Sequence, residues 1–142
     1  MSLELEKSQQ KSKQKTELQR DTQEIVNQFI NYYYKILNEK NFVELLKFYK
    51  LYTEINFEGT IYKGEELQKL FELLSINNII YTMKSIDYLM SGNHRINILI
   101  TGTIRIGEII KNFSEYLHFG TCKDKKTNEY GYWIQSSIFR SI

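Results

Sequence analysis

The stretch RINILITGTIRI, residues 95–106, decides how this chain is read. Isoleucines stand at positions 96, 98, 100, 104 and 106, and Asn97, Thr101, Thr103 and Arg105 fall between them. A period of two held over twelve residues is that of a β-strand with one face in a core and the other turned away. Gly102 interrupts the isoleucine row, which predicts a bend or bulge at that point.

Working outward, SGNHR (91–95) supplies turn residues and 79–90 reads as the strand before it. On the far side, IIKNFSEYLHF (109–119) is a further strand, with Phe113, Leu117 and Phe119 on one side and Asn112, Ser114, Tyr116 and His118 on the other. CKDKKTNEYG (122–131) reads as a polar loop. YWIQSSIFR (132–140) is then the last strand, with Tyr132, Ile134 and Ile138 opposing Trp133, Gln135 and Phe139. Both sides of these two strands carry large apolar or aromatic groups. A domain needs only one buried sheet face, so the second is expected to be a protein interface.

Upstream the period changes to that of a helix. From Asp21, an expected N-cap with Glu24 three residues on, apolar residues fall at Ile25, Val26, Phe29, Ile30, Tyr33, Ile36 and Leu37. Asn38–Asn41 breaks this helix, and FVELLKFYKLY (42–52) predicts a second with Phe42, Leu45, Leu46 and Tyr49 on one side. A hairpin at 55–63 turns at Glu58-Gly59. A third helix follows, with Leu67, Leu70, Phe71 and Leu74 spaced for a core face. Three helices, a hairpin and a four-strand meander predict an α+β domain in which a long helix lies on one face of a curved antiparallel sheet.

The chain has 142 residues, room for one core. Residues 1–20 hold Lys7, Lys11, Lys13, Lys15 and Arg20 against Glu4, Glu6 and Glu17, and read as a solvated or helix-extending tail, with 21–142 as the domain. The remainder carries 14 basic and 14 acidic residues, which argues against direct nucleic-acid binding. No run of about 18 apolar residues exists for a membrane span. The lone Cys122 has no partner for an internal disulfide, consistent with a reducing compartment. His94 and His118 lack metal-ligand or triad spacing, and no glycine-rich loop precedes a helix, so neither a metal nor a cofactor is expected.

FINYYYKIL opening, FEGTIYKGEEL after two helices and SSIFR closing together resemble the nuclear transport factor 2-like superfamily, from about Ile25 to Arg140. The resemblance implies a cone-shaped fold with N-terminal helices packed on a strongly bent antiparallel sheet. Tyr32-Tyr33, the aromatic-Glu-Gly turn Phe57-Glu58-Gly59 with Gly64 five residues on, and Phe139-Arg140 resemble the nucleocytoplasmic transport branch.

In the homodimeric import factor of that branch, which carries the small GTPase Ran in its GDP form, the aromatic-Glu-Gly turn borders the GTPase site and an acidic pair completes it. Glu58 matches the first role, Phe57 replaces the usual tryptophan, and Glu108 in RIGEII is the only carboxylate at the second, so the resemblance weakens for Ran. In the small subunit that pairs with the large mRNA-export receptor, a heterodimer forms through the open sheet face and the complex binds phenylalanine-glycine nucleoporin repeats. Arg140 matches that subunit's partner-pairing arginine. The resemblance thus implies a non-enzymatic adaptor of nucleus, cytoplasm and nuclear pore, with Phe57, Glu58, Glu108, Tyr116, Trp133 and Arg140 as partner-binding residues. Alternatives are the Ran-GDP importer, a structural subunit of a large assembly, and an isomerase or dehydratase using the cone's cavity. For the last, Asp87 amid Ile86, Tyr88 and Leu89 is the candidate carboxylate.

Overall fold

A computed structural model describes residues 22–92, 95–123, 126–127 and 130–142. The tail 1–20, the expected cap Asp21 and His94 lie outside them. The chain divides into two compact units, Met1–Tyr32 and Tyr33–Ile142. In the first, residues 22–32 are helical, with Val26, Phe29 and Ile30 buried and Tyr32 exposed. The second opens with helical residues 33–38; both stretches are labelled α1.

The second unit continues with α2 (Phe42–Leu45), a 3-10 turn (Leu46–Phe48), β1 (Tyr49–Phe57), β2 (Thr60–Lys63), α3 (Glu66–Asn77), β3 (Ile80–Met90), β4 (Arg95–Ile106), β5 (Ile109–Lys123) and β6 (Tyr130–Ser141). The strands form one sheet in the order β2-β1-β6-β5-β4-β3. The fold class is α+β, as the periodicities predict. The sheet, however, is mixed and not antiparallel throughout: β1 runs parallel to β6, which joins the early hairpin to the meander.

Helix and sheet meet through apolar faces at the expected spacings. Leu67, Leu70, Phe71 and Leu74 of α3 are buried, as are Ile96, Ile98, Ile100 and Ile104 of β4. Burying each such side chain contributes about 1.5–3 kcal/mol relative to leaving it exposed. Two polar clasps fix the α1–β3 approach. Asn38 Nδ2 donates to the Tyr81 carbonyl (3.0 Å), and the Tyr81 N–H donates back to Asn38 Oδ1 (2.8 Å). Lys40, in left-handed backbone (φ 58°), donates to the Ile79 carbonyl.

The predicted second helix ends far short of residue 52. Thr53 accounts for this: its fully buried hydroxyl accepts from the Lys50 N–H (2.8 Å) and donates to the Ile134 carbonyl (2.7 Å), tying 50–53 to β6 as an outward bulge of β1. Long-range pairing thereby overrides a local helical period. At Gly102 the expected irregularity is present, since β3 inserts Lys84 between the pairs Met83↔Gly102 and Ser85↔Thr101.

A second irregularity, between His118 and Phe119 of β5, leaves Gln135 of β6 without an opposite residue. It splits the predicted grouping of the last strand, in which Ile134 and Ile138 share one side: Ile134 is buried in the core. Ile138 turns outward, half exposed, and Phe139 turns into the core. β5 and β6 also extend into the stretch predicted as loop, to Lys123 and from Tyr130.

Candidate functional site

Two regions of the second unit carry chemistry: the outward sheet face with its hairpin rim, and a cavity between helices and sheet. The rim begins at the β1–β2 turn. Glu58 (φ 55°) and Gly59 (φ 91°) both adopt positive φ, the two-residue hairpin geometry that matches strand twist. The Gly59 N–H donates to Asn56 Oδ1 (3.0 Å). The turn is fastened to β6 twice. The Glu58 N–H donates to the Phe139 carbonyl (3.0 Å), and Glu58 Oε1 accepts from the Ser141 N–H (2.5 Å).

Phe57 is half buried and stacks on Phe139 with centroids 4.9 Å apart, so it faces inward. The Arg140 guanidinium crosses the turn, within 3.8 Å of where a side chain on Gly59 would begin. Phe57, Glu58 and Arg140 are therefore neighbours. Glu108 is not: it sits at the tip of the β4–β5 turn, five residues before Phe113, which pairs with Ser141. That places it about 17 Å further along the sheet.

The strand registers carry one row straight across the outward face: Asp87, Leu99, Tyr116, Ile138, Asn56, Ile61. Its centre is apolar and open, with Leu99 42%, Tyr116 39% and Ile138 51% exposed. Trp133 lies further along this face, half buried, its indole over Gly120. Asp87 belongs to this surface and is exposed, so it is not a cavity carboxylate; its apolar sequence neighbours are spread over both sides of an edge strand. Tyr116, Trp133 and Arg140 share the outward face, whereas Phe57 does not.

The cavity, about 20 Å³, is lined by Tyr33 and Leu37 of α1, Tyr49, Ile55 and Phe57 of β1, Leu70, Phe71 and Leu74 of α3, Tyr81, Glu115 and Phe139, among others. Glu115 is the one acid in the wall and is 3% exposed. Burial pushes its carboxyl up to about 7, while the nearby Tyr33 and Tyr34 hydroxyls pull it part of the way back. Its Oε1 and the Tyr34 hydroxyl remain buried without a partner at hydrogen-bond geometry.

Burial, and then the nearby Glu115 charge, raise the Tyr33, Tyr34 and Tyr81 phenols. Tyr49 is also raised, chiefly by burial. Lys40 packs on the Tyr81 ring at 5.9 Å, and burial lowers its ammonium. Sequence reading missed Glu115, although a signal existed. It stands between Phe113 and Leu117 on the inward side of KNFSEYLHF, a lone carboxylate in a core position. Among the described residues no three His, Cys, Asp or Glu stand together as a metal site would need, and no helix is long and apolar enough to cross a membrane.

No curated protein matches the sequence. Among solved structures, nuclear transport factor 2 from Cryptosporidium parvum is similar at 22% identity and TM-score 0.65, over 82% of this chain and 90% of that one. A chain of the yeast deubiquitinase Ubp3 and Bre5 cofactor complex is similar at 19% identity and TM-score 0.67, over 85% and 96%. Mtr2 is similar at 12% identity and TM-score 0.65, over 80% and 95%. At these identities the likenesses show the fold. The model of the nuclear transport factor 2 (NTF2) domain matches residues 25–141, and the chain belongs to that family.

Proposed function

We propose that this chain is a non-enzymatic, protein-binding adaptor of nucleocytoplasmic transport, the small subunit of an mRNA-export heterodimer. It would work in nucleus and cytoplasm and at the nuclear pore. The observation that carries this reading is the open row Leu99–Tyr116–Ile138, set among polar neighbours on a sheet whose other face is already filled. An apolar centre with a polar rim is the composition a protein partner covers. Partner and sheet face meet at Tyr116 and Trp133, Arg140 supplies the charge at the hairpin end, and phenylalanine-glycine repeats bind the assembled pair.

Two observations weigh against the alternatives. Glu58 spends a carboxylate oxygen on the Ser141 amide and Glu108 lies far from it, so no joint acidic site for a GTPase lysine is assembled. The cavity admits a group the size of one water, too small for an isomerase or dehydratase substrate, and Asp87 is outside it.

The test is affinity capture of the tagged full chain from its native cell, with copurifying proteins identified by mass spectrometry, alongside Tyr116→Glu. Wild type is expected to recover a larger partner or phenylalanine-glycine nucleoporins, and Tyr116→Glu to lose them with unchanged circular dichroism. Recovery of an unrelated assembly, or equal recovery by the variant, overturns the reading.

A further inference from the structure

The outward face has a charge pattern that the balanced composition of residues 21–142 conceals. Every second residue from Leu99 on β4 and from Tyr116 on β5 shares their side, which adds Arg95, Arg105 and His118, and Arg140 of β6 stands two places beyond Ile138. Glu115 is the one acid in the sequence of these three strands, and it is buried on the other side. The three arginines are exposed, and among the described residues none has a carboxylate partner; the ion pair present joins Lys47 to Glu44. Arg95 Nη1 instead meets the His118 ring nitrogen Nε2 at 3.4 Å. The carboxylates of the face stand on flanking strands, Asp87 on β3 and Glu54 on β1, the latter opposite Lys63.

The registers fix the layout. Arg140 lies in the row Thr101↔Ser114↔Arg140, about 20 Å along the strands from Arg95, and the apolar row Leu99–Tyr116–Ile138 runs between them. A second copy of the face does not complement this pattern. In face-to-face packing a two-fold axis lies between the sheets, along the strands or across them, and because both ends are basic either choice sets arginines against basic neighbours. Single-stranded RNA is another polyanion that a basic sheet can take, but it is held by stacking on exposed aromatic rings. Here Leu99 and Ile138 flank Tyr116, and the Trp133 ring is laid against Gly120.

We propose that the occupant of the outward face is an acidic partner protein whose contact surface carries carboxylates on both sides of an apolar strip, and not a second copy of this chain. The proposal rests on the adaptor reading of that face and specifies the partner's chemistry. Arg95, beside His118, takes the carboxylates at one end, and Arg140 and Arg105 take those at the other. Association is therefore fast at low salt and weakens as salt is added, whereas salt would screen the repulsion between two copies.

The test is nitrogen-15 NMR of the full chain, titrated with a synthetic peptide of about eight residues, leucines at its centre and glutamates at both ends, long enough when extended to run from Arg95 to Arg140. Amide shifts are expected on the outward positions of β4, β5 and β6, and Arg95→Glu combined with Arg140→Glu is expected to weaken binding about tenfold with unchanged circular dichroism. The same peptide with lysines for glutamates is expected to leave the face unshifted. Shifts confined to the lysine-bearing tail 1–20, or equal shifts with the lysine peptide, overturn the proposal. So does tighter binding of oligouridylate at Tyr116 and Trp133, which assigns the face to RNA, or a dimer in sedimentation velocity that Tyr116→Glu dissolves. The peptide needs no native partner. A face that binds it while capture from the cell recovers no transport component leaves this inference standing and the adaptor reading fallen; an export partner captured by a face indifferent to the peptide does the reverse.

Discussion

Glu115 makes stability depend on pH in a direction opposite to that of most carboxylates. Its folded-state pKa, about 7, lies above the ordinary value of 4.5, so between these limits the folded chain holds a proton that the unfolded chain has released. The stabilising contribution is complete below pH 4.5 and is lost as pH rises through 7, with an upper bound of about 3 kcal/mol. Glu115→Gln should remove this dependence: urea midpoints for wild type should fall between pH 5 and pH 8 while those of the variant stay level. Equal slopes would show the carboxyl to be hydrated in the folded state.

Two close approaches give a second residue-scale contrast. A Cβ on Gly102 would lie 2.1 Å from the Thr82 carbonyl oxygen, whereas one on Gly120 would lie 2.4 Å from Trp133 ring carbons. An indole can swing and a paired backbone cannot. Gly120→Ala should therefore cost about 1–3 kcal/mol and change the emission of the single tryptophan, and Gly102→Ala should cost more with emission unchanged.

At the scale of elements, Thr53 decides where helix gives way to strand. Thr53→Val keeps the shape and strands the Lys50 N–H and the Ile134 carbonyl, so it should destabilise by about 1–3 kcal/mol, seen as a lower denaturant midpoint with unchanged slope. The same residue shows why sequence reading stopped where it did. Alternation in β4, the Glu58-Gly59 hairpin and the α3 spacing are local signals, and each appears in the structure where it was read. The helical period of 42–52 was equally local, but its outcome depends on a hydroxyl bond spanning 81 residues. The facing of Ile138 and Phe139 hinged on one unopposed residue, Gln135, which no alternation pattern marks. Of the site, the outward position of Tyr116 was legible from strand period. The cavity was not, because its tyrosines come from α1, β1 and β3 and meet Glu115 only through tertiary packing.

For the whole molecule, the rim and the open face should behave as one surface. Arg140→Glu should weaken association with the captured partner by about 2–5 kcal/mol if its charge is buried there, measured by calorimetry on the purified complex, and leave the thermal midpoint of the free chain nearly unchanged. The parallel β1–β6 pairing has a further consequence, for biosynthesis. β6 is the last strand of the sheet in sequence yet lies inside it, between β1 and β5. Until a ribosome releases residues 130–141, the hairpin and the β3–β5 meander are separate pieces, each with a bare edge where β6 will go. Such high-contact-order assembly is slow and leaves sticky edges exposed, so the nascent chain is a natural client for chaperones that shield strand edges until β6 has emerged.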